Sequence, residues 1–116
     1  MTESCVFCDL VGGKFGTKFR YEDDDVVAFD DLHPVAPLHV LVVPRAHFAD
    51  LHHAAASNSA APLLGKMMAV AAKVGESAVD QGGYRVVVNT GPQAGQTVFH
   101  MHIHVLGGRH FAWPPG

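Results

Sequence analysis

Between Phe99 and Leu106 the chain alternates: Phe99-His100-Met101-His102-Ile103-His104-Val105-Leu106. Side chains on a strand point to its two faces in turn. Met101, Ile103 and Val105 therefore share a face that a core can bury, and His100, His102 and His104 share the other. Leu38 to Val43 predicts a second, more apolar strand closed by Pro44. Phe19 to Tyr21 and Val26 to Phe29 predict a hairpin around the acidic turn Glu22-Asp23-Asp24-Asp25, and Tyr84 to Val88 predicts a further strand. Leu63, Met67, Val70 and Val74 recur at helical spacing, after the N-cap candidates Ser57-Asn58-Ser59 and before Gly82-Gly83. Cys5 to Val11 predicts a short helical turn ended by Gly12-Gly13. Hairpins with one long helix between two strands predict an antiparallel sheet with helices on one side, an α+β domain.

Composition narrows the class. A chain of 116 residues predicts a single domain, residues 1–116. Apolar residues make up 48 % and charged residues 16 %, which is globular rather than disordered. The net charge is -3 with no basic run, which argues against a nucleic-acid partner. Apolar runs such as Val40 to Val43 are far too short to cross a bilayer. The start, Met1-Thr2-Glu3-Ser4-Cys5, lacks the basic and apolar regions of a secretory signal. The expectation is a cytoplasmic protein without a membrane, whose two cysteines form no structural disulfide.

Three imidazoles on one strand face point to chemistry near neutral pH. They could hold a metal, with His102 and His104 as ligands of a zinc hydrolase, or supply a covalent nucleophile. The strand alone leaves these level. The preceding loop, Asn89-Thr90-Gly91-Pro92-Gln93-Ala94-Gly95-Gln96, is rich in turn residues whose N–H groups can cradle an anion, and it tilts the balance towards a phosphate. Asn89 could add an amide donor. Asp30 and Asp31 end a strand; one such carboxylate can accept both hydroxyls of a ribose, and for Asp30 a solvated turn is the simpler reading. His39 shares a face with Leu41 and Val43 and, alone, would be a satisfied core residue. Cys5-Val6-Phe7-Cys8 places two sulfurs on one helical turn, for redox chemistry or for zinc with two further ligands, His47 among the candidates. His52, His53 and His110 are surface residues.

The segment His100-Met101-His102-Ile103-His104-Val105-Leu106 resembles the histidine-triad motif. The resemblance extends over Asp30 to His39, Ala94 to Val98, Leu106-Gly107-Gly108-Arg109 and the ending Trp113-Pro114-Pro115-Gly116. Within that family the chain looks like the histidine-triad nucleotide-binding branch, the purine nucleoside phosphoramidases. The resemblance implies a five-stranded antiparallel sheet with one long and one short helix. It implies a two-step transfer in which His102 attacks the α-phosphate of a purine nucleoside monophosphate derivative, and His104 and His39 orient it and manage charge. Thr97 stands where this branch usually has serine, near the leaving group. Asn89, Gly95, Gln96 and the backbone at Val98 would hold the phosphate, and Asp31 would accept the ribose hydroxyls. Phe7, Leu10, Phe29 and Leu32 would sandwich the base. It implies a homodimer with the C-terminal tail, Trp113 included, near the partner's site. Related nucleotidyltransferases bind zinc through the first triad histidine, which suggests a structural zinc on Cys5, Cys8, His47 and His100. The alternatives are a regulatory nucleotide-binding module with little turnover and a dinucleoside polyphosphate hydrolase.

Overall fold

The computed structural model describes residues 4–58 and 60–116. Five strands form one antiparallel sheet: β1 (Tyr21–Glu22), β2 (Val26–Asp30), β3 (Leu38–Pro44), β4 (Tyr84–Val87) and β5 (Ile103–Gly107), in the order β1-β2-β3-β5-β4. β1 to β3 follow one another as antiparallel neighbours. The chain then leaves through α2 (Leu51–Ala55) and α3 (Ala60–Gly75) to reach the far edge at β4, and β5 returns between β3 and β4. That return places the histidine strand inside the sheet, paired with the central strand β3, with His39 opposite Leu106 and Leu41 opposite His104. No helix among the described residues is long and apolar enough to cross a membrane.

Both faces of the sheet are covered, so the expectation of helices on one side is corrected. On one face Val26, Ala28, Val40, Val42, Met101, Ile103 and Val105 pack with Met67, Val70 and Ala71 of α3. On the other, Val27, Phe29, Leu41 and Val43 pack with Phe7, Leu10 and Val11 of α1 (Val6–Val11). Every residue of β3 is buried, the pattern of a strand covered twice. The continuous apolar run Val40 to Val43 carries that information. Reading α1 only as a turn left the cover of the second face unassigned.

Several boundaries move. Glu22 belongs to β1, so the tight turn is Asp23 to Asp25, where the Asp23 carboxylate accepts the N–H groups of Asp25 and Val26. The helix ends at Gly75, and a 3-10 segment, Glu76–Gln81, intervenes before the left-handed Gly82. A side chain at Gly75 would lie 2.8 Å from the Tyr84 ring, so the close approach of helix and edge strand needs glycine there. The N-cap candidate Ser59 and residues 1–3 lie outside the described residues. β5 begins only at Ile103, so His100 and His102 precede the strand, although the division of faces holds.

Candidate active site and metal-binding cluster

His102 donates its Nδ1–H to the carbonyl oxygen of His100 at 2.8 Å. A carbonyl only accepts, so in the neutral ring the Nε2 of His102 carries the free lone pair. The tautomer of His39 is fixed from outside: the Val35 N–H donates to its Nδ1 at 3.1 Å. Its proton therefore sits on Nε2, which donates to the Nδ1 of His104 at 2.9 Å, and His104 keeps its own proton on Nε2. Thus His102 offers a lone pair and, two residues on, His104 offers a donor. Their rings lie 5.0 Å apart.

Burial holds these rings neutral. It pushes His102 below the ordinary imidazole value against the opposing pull of the His100 carbonyl and the Asp31 charge. His104 falls to about 4, through burial and then through the neighbouring His102 and His39 rings. A neutral buried imidazole is a competent nucleophile at pH 7. Asp31 is half-buried; one carboxylate oxygen accepts the His33 N–H at 2.8 Å and the other lies 3.5 Å from the Nε2 of His39. Asp30 instead pairs with Arg20 on the surface.

Phe7, Leu10 and Phe29 are buried together, with the Phe7 ring edge-on to Phe29 at 5.7 Å and to His102 at 5.1 Å. Leu32 stands apart from them, 89 % exposed. Thr97 is exposed, and Asn89 and Val98 are half-buried. Gly95 turns the loop in the left-handed region, φ +97, beside the Asn89 amide. Gln96, expected at the phosphate, turns its side-chain amide to backbone groups. Its side chain is buried and its amide hydrogens go to Ala49 and Val98 carbonyls. His52, His53 and His110 are exposed, as expected of surface residues.

On the α1 side, donor atoms of Cys5, Cys8, His47 and His100 all lie within 4.8 Å of one another. His100 is fully buried and donates its Nε2–H to the Pro44 carbonyl at 2.8 Å, so its Nδ1 lone pair faces the cluster. That Nδ1 lies 3.5 Å from each sulfur and 3.1 Å from the Nδ1 of His47, and Cys8 Sγ lies 3.4 Å from His47. Zinc bonds of about 2.3 Å to sulfur and about 2.0 Å to nitrogen in a tetrahedron put sulfur and nitrogen about 3.5 Å apart, which these edges match. Burial, then the neighbouring Cys5, pushes the Cys8 thiol up to about 11. A bound divalent cation reverses that bias by drawing the protons off.

A second group, Asp31, His39 and His104, has donors equally close. It suits a metal poorly, because the Val35 N–H already fixes a proton on the His39 nitrogen that would have to bind. His102 belongs to neither group among the described residues, which disfavours a zinc on His102 and His104. Three backbone groups that orient these rings, on Val35, Pro44 and His100, were invisible to residue-type reasoning. Val35 has the one local signal, lying four residues before His39 after a proline turn.

A model of the HIT domain matches residues 14–111. An uncharacterized HIT-like protein of Synechococcus elongatus is 45 % identical over 120 residues, covering 100 % of both chains. The 14 kDa zinc-binding protein of Zea mays is 38 % identical over 111 residues, covering 96 % of this chain and 87 % of that one. Among solved structures, a HIT family hydrolase from Legionella pneumophila superposes with TM-score 0.90 at 35 % identity, covering 97 % of this chain and 100 % of that one. A Zn-bound histidine triad family protein from Mycobacterium smegmatis gives TM-score 0.78 at 34 % identity, covering 91 % and 76 %. The chain, by this match and by its fold, belongs to the HIT domain family.

Proposed function

We propose that the protein is a nucleotidyl hydrolase that cleaves purine nucleoside 5′-phosphoramidates through a nucleotidyl-histidine. The observation that carries this reading is the free Nε2 lone pair of His102, left open because Nδ1–H is held by the His100 carbonyl. In the first step Nε2 attacks the α-phosphorus, a P–N bond to His102 forms, and the bond to the departing amine breaks as the amine takes a proton from solvent, which the water of the second step returns. In the second step water attacks phosphorus, the P–N bond to His102 breaks, and the nucleoside monophosphate leaves. His104 Nε2–H is the donor that meets charge building on the phosphate oxygens, and His39 holds His104 in that tautomer. Thr97 offers its hydroxyl beside the leaving group. Asn89, the turn at Gly95 and the N–H of Val98 border the phosphate.

Asp31 takes the ribose hydroxyls. Phe7, Leu10 and Phe29 form the inner wall for the base, and the exposed Leu32 closes over its other face. Cys5, Cys8, His47 and His100 hold a structural zinc, in keeping with the zinc named for the maize and mycobacterial relatives. When bound it supplies a rigid cross-link between α1 and the triad segment. We place two chains in a homodimer joined through the edge strand β4, whose residues are only half-buried, with the exposed Trp113 near the partner's site. Sedimentation as a 12.4 kDa monomer at micromolar concentration would contradict the dimer.

The deciding experiment is a rapid quench with an adenosine phosphoramidate followed by peptide mass analysis. An adenylyl group on the peptide containing His102, absent from His102→Ala, supports the reading. Tight AMP binding without turnover or adduct would favour a regulatory module instead.

A further inference from the structure

We propose that Gln96 is a positioning residue that shapes the anion pocket from behind and makes no phosphate contact itself. The proposal rests on reading the loop after Asn89 as the phosphate site.

An anion needs donors, and Gln96 has none to give. The side chain is 3 % exposed. Its Nε2 donates to the Ala49 carbonyl at 2.7 Å and to the Val98 carbonyl at 3.0 Å, which uses both amide hydrogens. Its Oε1 accepts the Gly91 N–H at 2.9 Å, and its own backbone N–H donates to the Gly91 carbonyl at 3.1 Å. The N–H groups of Ala94 and Gly95 are engaged as well, with Gly91 and Pro92. One side chain thus closes residues 91–96 into a ring and docks that ring on Ala49.

The docking point has a partner. The Met101 N–H donates to the Phe48 carbonyl at 2.7 Å, next to Ala49. The segment between Gln96 and Met101 is therefore pinned at both ends to residues 48 and 49. Within it, the backbone N–H groups of Thr97, Val98, Phe99 and His100 find no carbonyl partner among the described residues, and Thr97 and Val98 are the two next to Gln96. These, with the Thr97 hydroxyl, are the donors the loop holds out towards an anion. Gln96 fixes where they point.

A mispositioned loop loses ground-state and transition-state contacts alike. Gln96→Met, which keeps the length and removes the hydrogen bonds, should raise Kd for AMP and KM about tenfold while kcat stays within about threefold. Adenosine, which lacks phosphate, should bind the variant as it binds the parent. The readout that separates positioning from contact uses the unaltered protein. In ¹⁵N-labelled parent the Gln96 side-chain NH₂ signals should exchange slowly and stay unmoved on saturation with AMP, while the Thr97 and Val98 amides shift. Loss of exchange protection at the Gly91 amide in Gln96→Met would support the closed ring. Gln96 side-chain signals that shift with AMP as far as those of Thr97, or unchanged AMP affinity in Gln96→Met, would overturn the inference alone. Failure of the parent to bind AMP at all would overturn the reading of the site and the inference with it.

Discussion

The His100 carbonyl that accepts the Nδ1–H of His102 at 2.8 Å belongs to a residue whose own Nδ1 faces Cys5 and Cys8. His102 and the metal-capable cluster are therefore joined by one residue. Phe7, between the two cysteines on α1, adds a second link through its edge contacts with both His100 and His102. Protein purified without a histidine tag should carry about one zinc per chain. Cys8→Ser should lower that content and reduce Tm by at least about 5 °C, the shift expected for roughly 1 kcal/mol in a domain of this size. Zinc well below one equivalent, unchanged after refolding with zinc present, would end the metal assignment.

His102→Ala should remove turnover by several orders of magnitude, about the loss that follows removal of other covalent nucleophiles. AMP affinity should stay within a few-fold, because the loop, Asp31 and the apolar wall remain. Activity within tenfold of the parent would remove His102 from the nucleophile's role.

The period-two pattern around the triad was legible because the two faces of the extended segment from His100 through β5 meet different surroundings. Met101, Ile103 and Val105 enter the α3 core, whereas His100 and His102 meet Phe7 of α1 and His104 meets His39. Cys5 and Cys8 were legible from their spacing and His47 as one candidate ligand, whereas His100 entered through the family resemblance. Other features were hidden because backbone groups carry no residue-type signal. The Val35 N–H and the Pro44 carbonyl decide which nitrogens of His39 and His100 bear protons. The same limit hid the backbone partners of Gln96, whose amide serves equally for a phosphate or for three backbone groups. Phe7, Leu10 and Val11 share one side of so short a helix that its cover of the second face was not apparent.

Gly107 ends the triad strand where the 3-10 segment crosses it. An added Cβ would sit 2.6 Å from the Ala78 Cβ and 3.4 Å from a Leu38 methyl. Both neighbours are buried, so neither can swing aside. Gly107→Ala should destabilise by about 1–3 kcal/mol, the usual range for an overpacked core. Urea unfolding with an unchanged midpoint would show that the segment around Ala78 yields freely.

Asp31→Ala should weaken ribonucleotides far more than 2′,3′-dideoxynucleotides. A charged hydrogen bond contributes about 1.5–3 kcal/mol, and a carboxylate holding both hydroxyls makes two of them. Calorimetry on the two ligand types is the test. Equal weakening would mean that Asp31 acts through His39, 3.5 Å away, and not on the sugar.

His104 makes the fold sensitive to acid in a defined window. Its folded value is about 4, set first by burial, whereas in the unfolded chain it titrates near the ordinary imidazole value of about 6.5. Between these limits the unfolded chain binds more protons at this position than the folded one. Stability therefore rises with pH across the window and falls as pH is lowered through it. His104→Asn removes the titrating ring. Urea unfolding at pH 7 and at pH 5 should show a larger loss on acidification for the parent than for His104→Asn. Any loss of metal from the cysteine–histidine cluster on acidification is common to both proteins and cancels in that comparison. Identical losses in the two proteins would show that His104 is charged in the folded state at pH 5, and that burial does not hold it neutral.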